Sequence, residues 1–234
     1  MEQTFKEKLK KKCPELTDEM QQQFEDYMKL LLEWNEKINL TAITNEDEII
    51  LKHFVDSLTI SKYIKEGETI VDVGTGAGFP GIPIKISRSD IDVTLVDSLN
   101  KRILFLQDII EKLELKKVST LHYRAEEFGQ NKKYRESFDV ATSRAVANLS
   151  TLVEYLLPLV KVGGICICMK GSEIKEELEN SKKAIKILGG EIEKIEEFTL
   201  PDSDIKRNIV VIKKINSTPN KYPRKSGTPS KDPL

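Results

Sequence analysis

Residues Val71 to Gly81 read VDVGTGAGFPG. With Thr69 and Ile70 in front, the first residues form TIVDV, a short apolar run with β-branched residues, the composition of a buried strand. Glycines then follow at Gly74, Gly76, Gly78 and Gly81. Glycine allows positive φ and lets the backbone approach a ligand closely. A strand, a glycine-rich turn and a helix is the arrangement by which α/β folds hold nucleotide-like ligands.

The turn fits two patterns. Gly76, Gly78 and Gly81 match G-x-G-x-x-G, the dinucleotide fingerprint. Asp72, Gly74, Gly76 and Gly78 match the acidic-x-Gly-x-Gly-x-Gly pattern of S-adenosylmethionine (AdoMet) enzymes. Asp72 separates them. A carboxylate at the end of a buried strand needs a partner, and a pyrophosphate beside it is repelled. AdoMet has no phosphate and carries an ammonium, so Asp72 favours AdoMet over NAD. The plainer role for Asp72 is to cap the turn amides. Asp97 closes a second strand, DVTLVD, where a carboxylate accepts from ribose hydroxyls of either cofactor. Capping the helix that starts near Leu99 is its plainer role, shared with Ser98.

Composition agrees with a soluble enzyme of one domain plus an extension. The chain has 234 residues, 39% hydrophobic, with net charge −1. No apolar run approaches the ~20 residues of a membrane span, and the N-terminus lacks the apolar stretch of a secretion signal. Cys13, Cys166 and Cys168 read as reduced core residues of a cytosolic protein. With two histidines and no Cys-x-x-Cys, no metal site is expected. The balanced charge is unlike that of a nonspecific nucleic-acid binder.

Three regions follow from the pattern. Residues 1–66 form a helical cap. One helix is capped by Thr17, with Met20, Phe24, Tyr27, Leu31 and Ile38 on one face; a second runs from about Glu46 to Tyr63. Residues 67–215 alternate strands and helices. Strands are predicted near 69–73, 92–96, 117–122, 138–143, 164–169, 191–199 and 208–214, with helices near 81–88, 99–114, 147–160 and 173–188. Gly163-Gly164 marks a turn before the fifth strand. This is an α/β, Rossmann-like class I methyltransferase pattern: a mostly parallel seven-stranded sheet with helices on both faces, closed by an antiparallel edge hairpin. Residues 216–234, rich in Pro, Ser, Thr and Gly, read as a mobile basic tail. It is either a solubilising appendage or an arm that meets RNA through Lys221, Tyr222, Arg224 and Lys225.

Several segments together resemble one family, the RsmG (GidB) 16S rRNA guanine-N7 methyltransferases. They are NLTAI at 39–43, KHFVDSL at 52–58, VDVGTGAGFPG at 71–81, LVDS at 95–98, RAEE at 124–127, SRAVA at 143–147 and YPRKSGTP at 222–229. The resemblance spans nearly the whole chain. It implies AdoMet as methyl donor, S-adenosylhomocysteine as product, and cofactor contacts at Gly74, Phe79, Ala125, Glu126 and Arg144. It also implies 16S rRNA or the small ribosomal subunit as partner to a cytosolic monomer.

Each implied contact has a plainer alternative. Phe79 can be core, Glu126 a solvated helix start, and Arg144 a surface ion pair. His53, Asp56 and Ser57 are candidates for the substrate side, although Asp56 at i+3 can simply pair with His53. Guanine N7 has a free lone pair, so no general base is required, and no side chain is assigned a chemical step. Two other functions fit parts of the sequence: an NAD-dependent oxidoreductase, from G-x-G-x-x-G, and a non-enzymatic rRNA-binding assembly factor, from the basic tail.

Overall fold

Strand β1 (Thr69–Val73) pairs in parallel with β2 (Asp92–Asp97) on one side and β4 (Phe138–Arg144) on the other. In the computed structural model, which describes residues 3–144 and 147–234, these belong to a seven-stranded sheet of order β3-β2-β1-β4-β5-β7-β6. The remaining strands are β3 (Val118–His122), β5 (Val160–Lys170), β6 (Gly190–Thr199) and β7 (Lys206–Lys214). β7 alone runs opposite to the other six strands. The sequence pattern places the antiparallel strand at the edge, whereas β7 inserts between β5 and β6 and leaves β6 outermost. Strand order reverses between β1 and β4, the position where open α/β sheets bind ligands.

Alternation along the strands divides the core into two. Ile70, Val93, Leu95, Val140, Ile167, Ile209 and Val211 face one cluster, and Val71, Val96, Ala141, Cys166, Cys168, Val210 and Ile212 face the other. The first face is covered by α1 (Phe5–Lys12), α2 (Asp18–Ile38), α5 (Gly81–Ser87) and α6 (Asn100–Lys112). The second is covered by α7 (Ala125–Gln130), α8 (Leu149–Leu156) and α9 (Lys175–Ile187). All three cysteines are buried and free.

The cap is more irregular than the periodicity predicts. Helix α1 forms where no helix is expected; Thr4 and Glu7 close its N-terminus reciprocally. Thr17 caps α2 as expected. The second helix is broken into α3 (Glu46–Ile49), a π-helical stretch over Ile50–Val55 and α4 (Asp56–Leu58). Such π-turns are frequent at functional sites. This one carries Lys52 and His53. Tyr27 of α2, fully buried, donates its hydroxyl to Ala77 O in the glycine turn. The cap is thereby tied to the loop that defines the site.

Gly163-Gly164 lies inside β5 rather than before it. The pairing with β4 shifts register here. Gly163 has φ +93°, and a Cβ on Gly164 would come within 2.5 Å of Asp139 O. The two glycines make a bulge.

The C-terminal segment departs most from expectation. It packs on the second face instead of remaining mobile. Tyr222 is buried beside the aromatic group around Phe128. Arg135 donates to Tyr222 O and Thr218 O, each at 2.7 Å. Arg224 meets the fully buried Glu154 through Nη2 at 2.8 Å, Nε at 3.0 Å and its backbone N–H at 2.8 Å. Composition counts polar and proline residues but does not register that one tyrosine and one arginine have buried partners waiting. Arg224→Ala leaves Glu154 as an uncompensated buried charge and should lower stability by about 3 kcal/mol. Urea denaturation measures this, and an unshifted midpoint would mean that the pair contributes no more than an exposed one.

Candidate active site

Asp72, the last residue but one of β1, lies on the face of the N-terminal helices and has no exposed surface. Its Oδ2 accepts from Thr75 Oγ1 at 2.6 Å and from Gly81 N at 2.9 Å, which closes the glycine turn from beneath. Its Oδ1 is buried and has no hydrogen-bond partner among the described residues. Burial pushes the carboxyl up to about 6, with the two donors to Oδ2 opposing. The plainer expectation, turn capping, describes its contacts. The unpartnered oxygen is a local negative charge beneath the turn.

Gly74 and Gly76 hold φ of +69° and +62°, conformations that suit glycine. A Cβ on Gly76 would meet only Gly74 O at 4.0 Å, so it would stand in open space. That space is a cleft of about 410 Å³ lined by Gly74, Gly76, Phe79, Asp97, Thr41 and Arg144, among others. Asp97 accepts from Gly76 N and Leu99 N, each at 2.9 Å, and from Arg102 at 3.3 Å. It is not the N-cap of α6, a position held by Leu99 without a side-chain cap, but it accepts from Leu99 N and stands on the cleft wall. Gly78, with φ +95°, is packed against Ile82 and the Tyr27 hydroxyl and is structural.

Arg144 is not a surface pair. Its Nη1 donates to Lys52 O at 2.9 Å and lies 3.4 Å from Asp56, and its Nη2 donates to His53 Nδ1 at 3.1 Å. The guanidinium carbon sits 4.9 Å from the Phe79 ring centroid. The His53 ring stacks on the same ring at 4.4 Å. Burial and Arg144 hold His53 down at about 3, so its imidazole is neutral. Arginine has no acceptor, so Nδ1 carries the lone pair and Nε2 the proton. Nε2–H then donates to Thr41 Oγ1 at 2.9 Å. Asp56 does not pair with His53; it bridges Arg144 and Arg207, whose Nε lies 3.1 Å from Oδ1.

The first cleft adjoins a second, also about 410 Å³, lined by Ile43, Lys52, Met169, Lys170, Gly171 and Arg207; His53 and Arg144 border both. Ala125 and Glu126 do not line the first cleft. Glu126 is buried and accepts from Gly227 N of the C-terminal segment at 2.7 Å, so it is not the solvated helix start that composition favours. Tyr222 offers no face to a base because its ring is in the core, and Arg224 is committed to Glu154. Lys221 and Lys225 are exposed. Ala145 and Val146 of the SRAVA segment lie outside the described residues. A larger cavity of about 710 Å³ lies beside α8, α9 and the C-terminus and shares no residue with the glycine turn.

Thr41, Tyr27, Arg102 and Arg207 belong to the site without an obvious mark in the sequence. Only the NLTAI segment hints at Thr41. No group of three or more metal-binding side chains occurs among the described residues, and no described helix is long and apolar enough to cross a membrane.

Because the folded carboxyl of Asp72 titrates near 6 rather than at its ordinary 3.8, the native state binds the extra proton between these values. Asp72 therefore lowers stability as pH rises from about 4 to 6. Asp72→Asn should gain on the wild type across that window, by up to roughly 3 kcal/mol. Denaturation at pH 4, 5, 6 and 7 follows the difference between the two proteins; a constant difference would show that the carboxyl titrates normally.

The chain resembles known proteins along nearly its whole length. The sequence model of "rRNA small subunit methyltransferase G" (GidB) matches residues 20–210. A ribosomal RNA small subunit methyltransferase G of Acetivibrio thermocellus is 59% identical over 94% of this chain and 90% of its own. One from Exiguobacterium sibiricum is 51% identical over 100% of this chain and 99% of its own. Among solved structures, a SAM-dependent methyltransferase from Aquifex aeolicus aligns with TM-score 0.53 at 17% identity, over 72% of this chain and 93% of its own. TYW2 of M. jannaschii, in complex with AdoMet, aligns with TM-score 0.54 at 13% identity, over 68% and 75%. The fold is thus that of class I methyltransferases, and AdoMet rather than NAD is the cofactor. A glycine turn open above a buried carboxylate, at the switch point of a methyltransferase sheet, meets sequence identity above one half, and the chain belongs to the rRNA small subunit methyltransferase G family.

Proposed function

We propose that the chain methylates N7 of a guanine in 16S rRNA, with AdoMet in the cleft above the glycine turn. The observation that carries the cofactor's position is the open space over Gly76, bounded by Asp97 on one side and Phe79 with Arg144 on the other. Gly74 and Gly76 permit close backbone approach, and Asp97 suits the ribose. Asp72 supplies negative potential toward the ammonium from beneath the turn. Glu126 acts at the adenine end through its hold on the C-terminal segment. Bound there, AdoMet would supply an electrophilic methyl on sulfur, with sulfur as the leaving group that keeps the bonding pair.

The residues around the cleft bind, orient and exclude water. N7 needs no deprotonation, and His53, held neutral with Nδ1 and Nε2 both engaged, is suited to fix Arg144 rather than to move a proton. Rate then comes from alignment of the reacting atoms. N7 lies on the deep-groove edge of A-form RNA, so the target guanine is taken from a loop or splayed from its stack. The partner is the small ribosomal subunit or its free 16S rRNA, met by a monomer in the cytosol, with Lys221 and Lys225 as phosphate contacts.

Mapping N7-methylguanine in 16S rRNA from cells with and without the protein tests the reading; one modification should disappear with the gene. Cells carrying only Gly76→Leu should match the deletion, while the purified variant keeps its circular dichroism and loses AdoMet binding. An unaltered modification map after deletion would end the proposal. Separately, Lys221→Ala with Lys225→Ala should reduce the slope of log affinity for rRNA against log salt by about 1.4–1.8, two contacts' worth for single-stranded to duplex RNA-like geometry. An unchanged slope would move the RNA surface to the N-terminal helices.

A further inference from the structure

The second cleft has a composition that the cofactor does not explain. Arg144 and Arg207 share one carboxylate, Asp56, between walls made by Ile43 and Met169, while Lys52 and Lys170 at the cleft's rim pair outward with Glu48 and Glu177. It opens between the π-helical turn of the cap and the ends of β4 and β5, on the far side of His53 and Arg144 from Gly76. At about 410 Å³ it falls within the range of small-ligand sites. Cations outside an apolar slot suit a flat base attached to a phosphate backbone.

Arg144 is shared by both clefts and is only partly used. A guanidinium has five N–H donors. Three meet Lys52 O, Asp56 and His53 Nδ1, so two have no acceptor among the described residues. The side chain cannot swing freely to find one, since His53 and Asp56 hold it and Phe79 lies under it. His53 is in turn fixed by Thr41 and Phe79. Asp56 offsets one of the two guanidiniums, which matters because the base becomes cationic when N7 is methylated.

We propose that this second cleft receives the target purine and that Arg144 selects guanine by donating to O6, the acceptor beside N7. Adenine presents an amino group at that position, so donor would meet donor. His53 and Asp56 are positioning residues: they hold the guanidinium at the boundary between base and cofactor. The inference deepens the guanine-N7 reading and rests on it.

Gly171 gives a clean test. It lines the second cleft, and a Cβ there has nothing within 4 Å. Gly171→Trp should fill the cleft without disturbing the fold. The expected result is a drop of at least about tenfold in methyl transfer to small-subunit rRNA, with AdoMet affinity by calorimetry within about twofold of the wild type, as one extra filled pocket requires. Wild-type turnover in this variant would overturn the proposal while N7-methylguanine made by the wild type left the function standing. A matching loss of AdoMet affinity would also overturn it, since the two clefts would then be one. The choice of base is read with protein labelled at its methionine methyl groups. Guanosine monophosphate should move the Met169 resonance and leave Met20 and Met28 of α2 in place. Adenosine monophosphate at the same concentration should move Met169 far less. Equal movement with both nucleotides, or none with either, would overturn the selection of guanine by Arg144.

Discussion

A carboxylate without solvent, under a loop of glycines, is the constraint around which this molecule is arranged. Asp72 holds Thr75 and Gly81 with one oxygen, which fixes where the turn leaves β1 and where α5 begins. Glycine at 81 leaves room for this, since a Cβ would come within 2.4 Å of the Leu95 side chain and 3.0 Å of the carboxylate itself, so that one of them would have to shift. The charge is expensive to bury, as its raised affinity for a proton shows. A fold that keeps it accepts a local loss of stability in return for negative potential beside the cleft, the kind of conflict between stability and function expected at sites.

The N-terminal helices are part of that site rather than an appendage. Tyr27 reaches Ala77 in the turn, and the π-helical segment delivers His53, with Asp56 just beyond it, to Arg144 at the end of β4. The sheet thus supplies the floor, and His53 from the cap and Arg144 from β4 line both clefts where they adjoin. In a regular helix His53 and Asp56, three residues apart, would share a face; the wider turn rotates them apart, and the two side chains meet the Arg144 guanidinium at different nitrogens.

Much of this was legible in the residues. Strand and helix periods, the glycine turn and the two carboxylates at strand ends report local chemistry, and local chemistry is what a sequence displays directly. The positions of Gly74, Gly76, Asp97 and Arg144 around one cleft followed from topology, since strand ends meet at one rim. Partnerships were less visible. Nothing about Arg207 or Thr41 marks them in isolation; they matter because a strand and a loop far apart in the chain bring them to Asp56 and His53. The bulge at Gly163-Gly164 looked like a turn because glycine pairs signal both, and only the neighbouring Asp139 carbonyl distinguishes them.

The C-terminal segment shows how composition and contacts diverge. Its prolines, serines and lysines are those of a mobile arm, and its cations suggest phosphates. Yet Tyr222 fills a space beside Phe128, Arg224 neutralises Glu154, and Gly227 N occupies an oxygen of Glu126. Two of the groups that seemed free for RNA are therefore needed by the protein itself. The segment's contact with Glu126 also joins the end of the chain to the start of α7, which follows β3. The exposed Lys221 and Lys225 are the cations of this segment left uncommitted among those first considered.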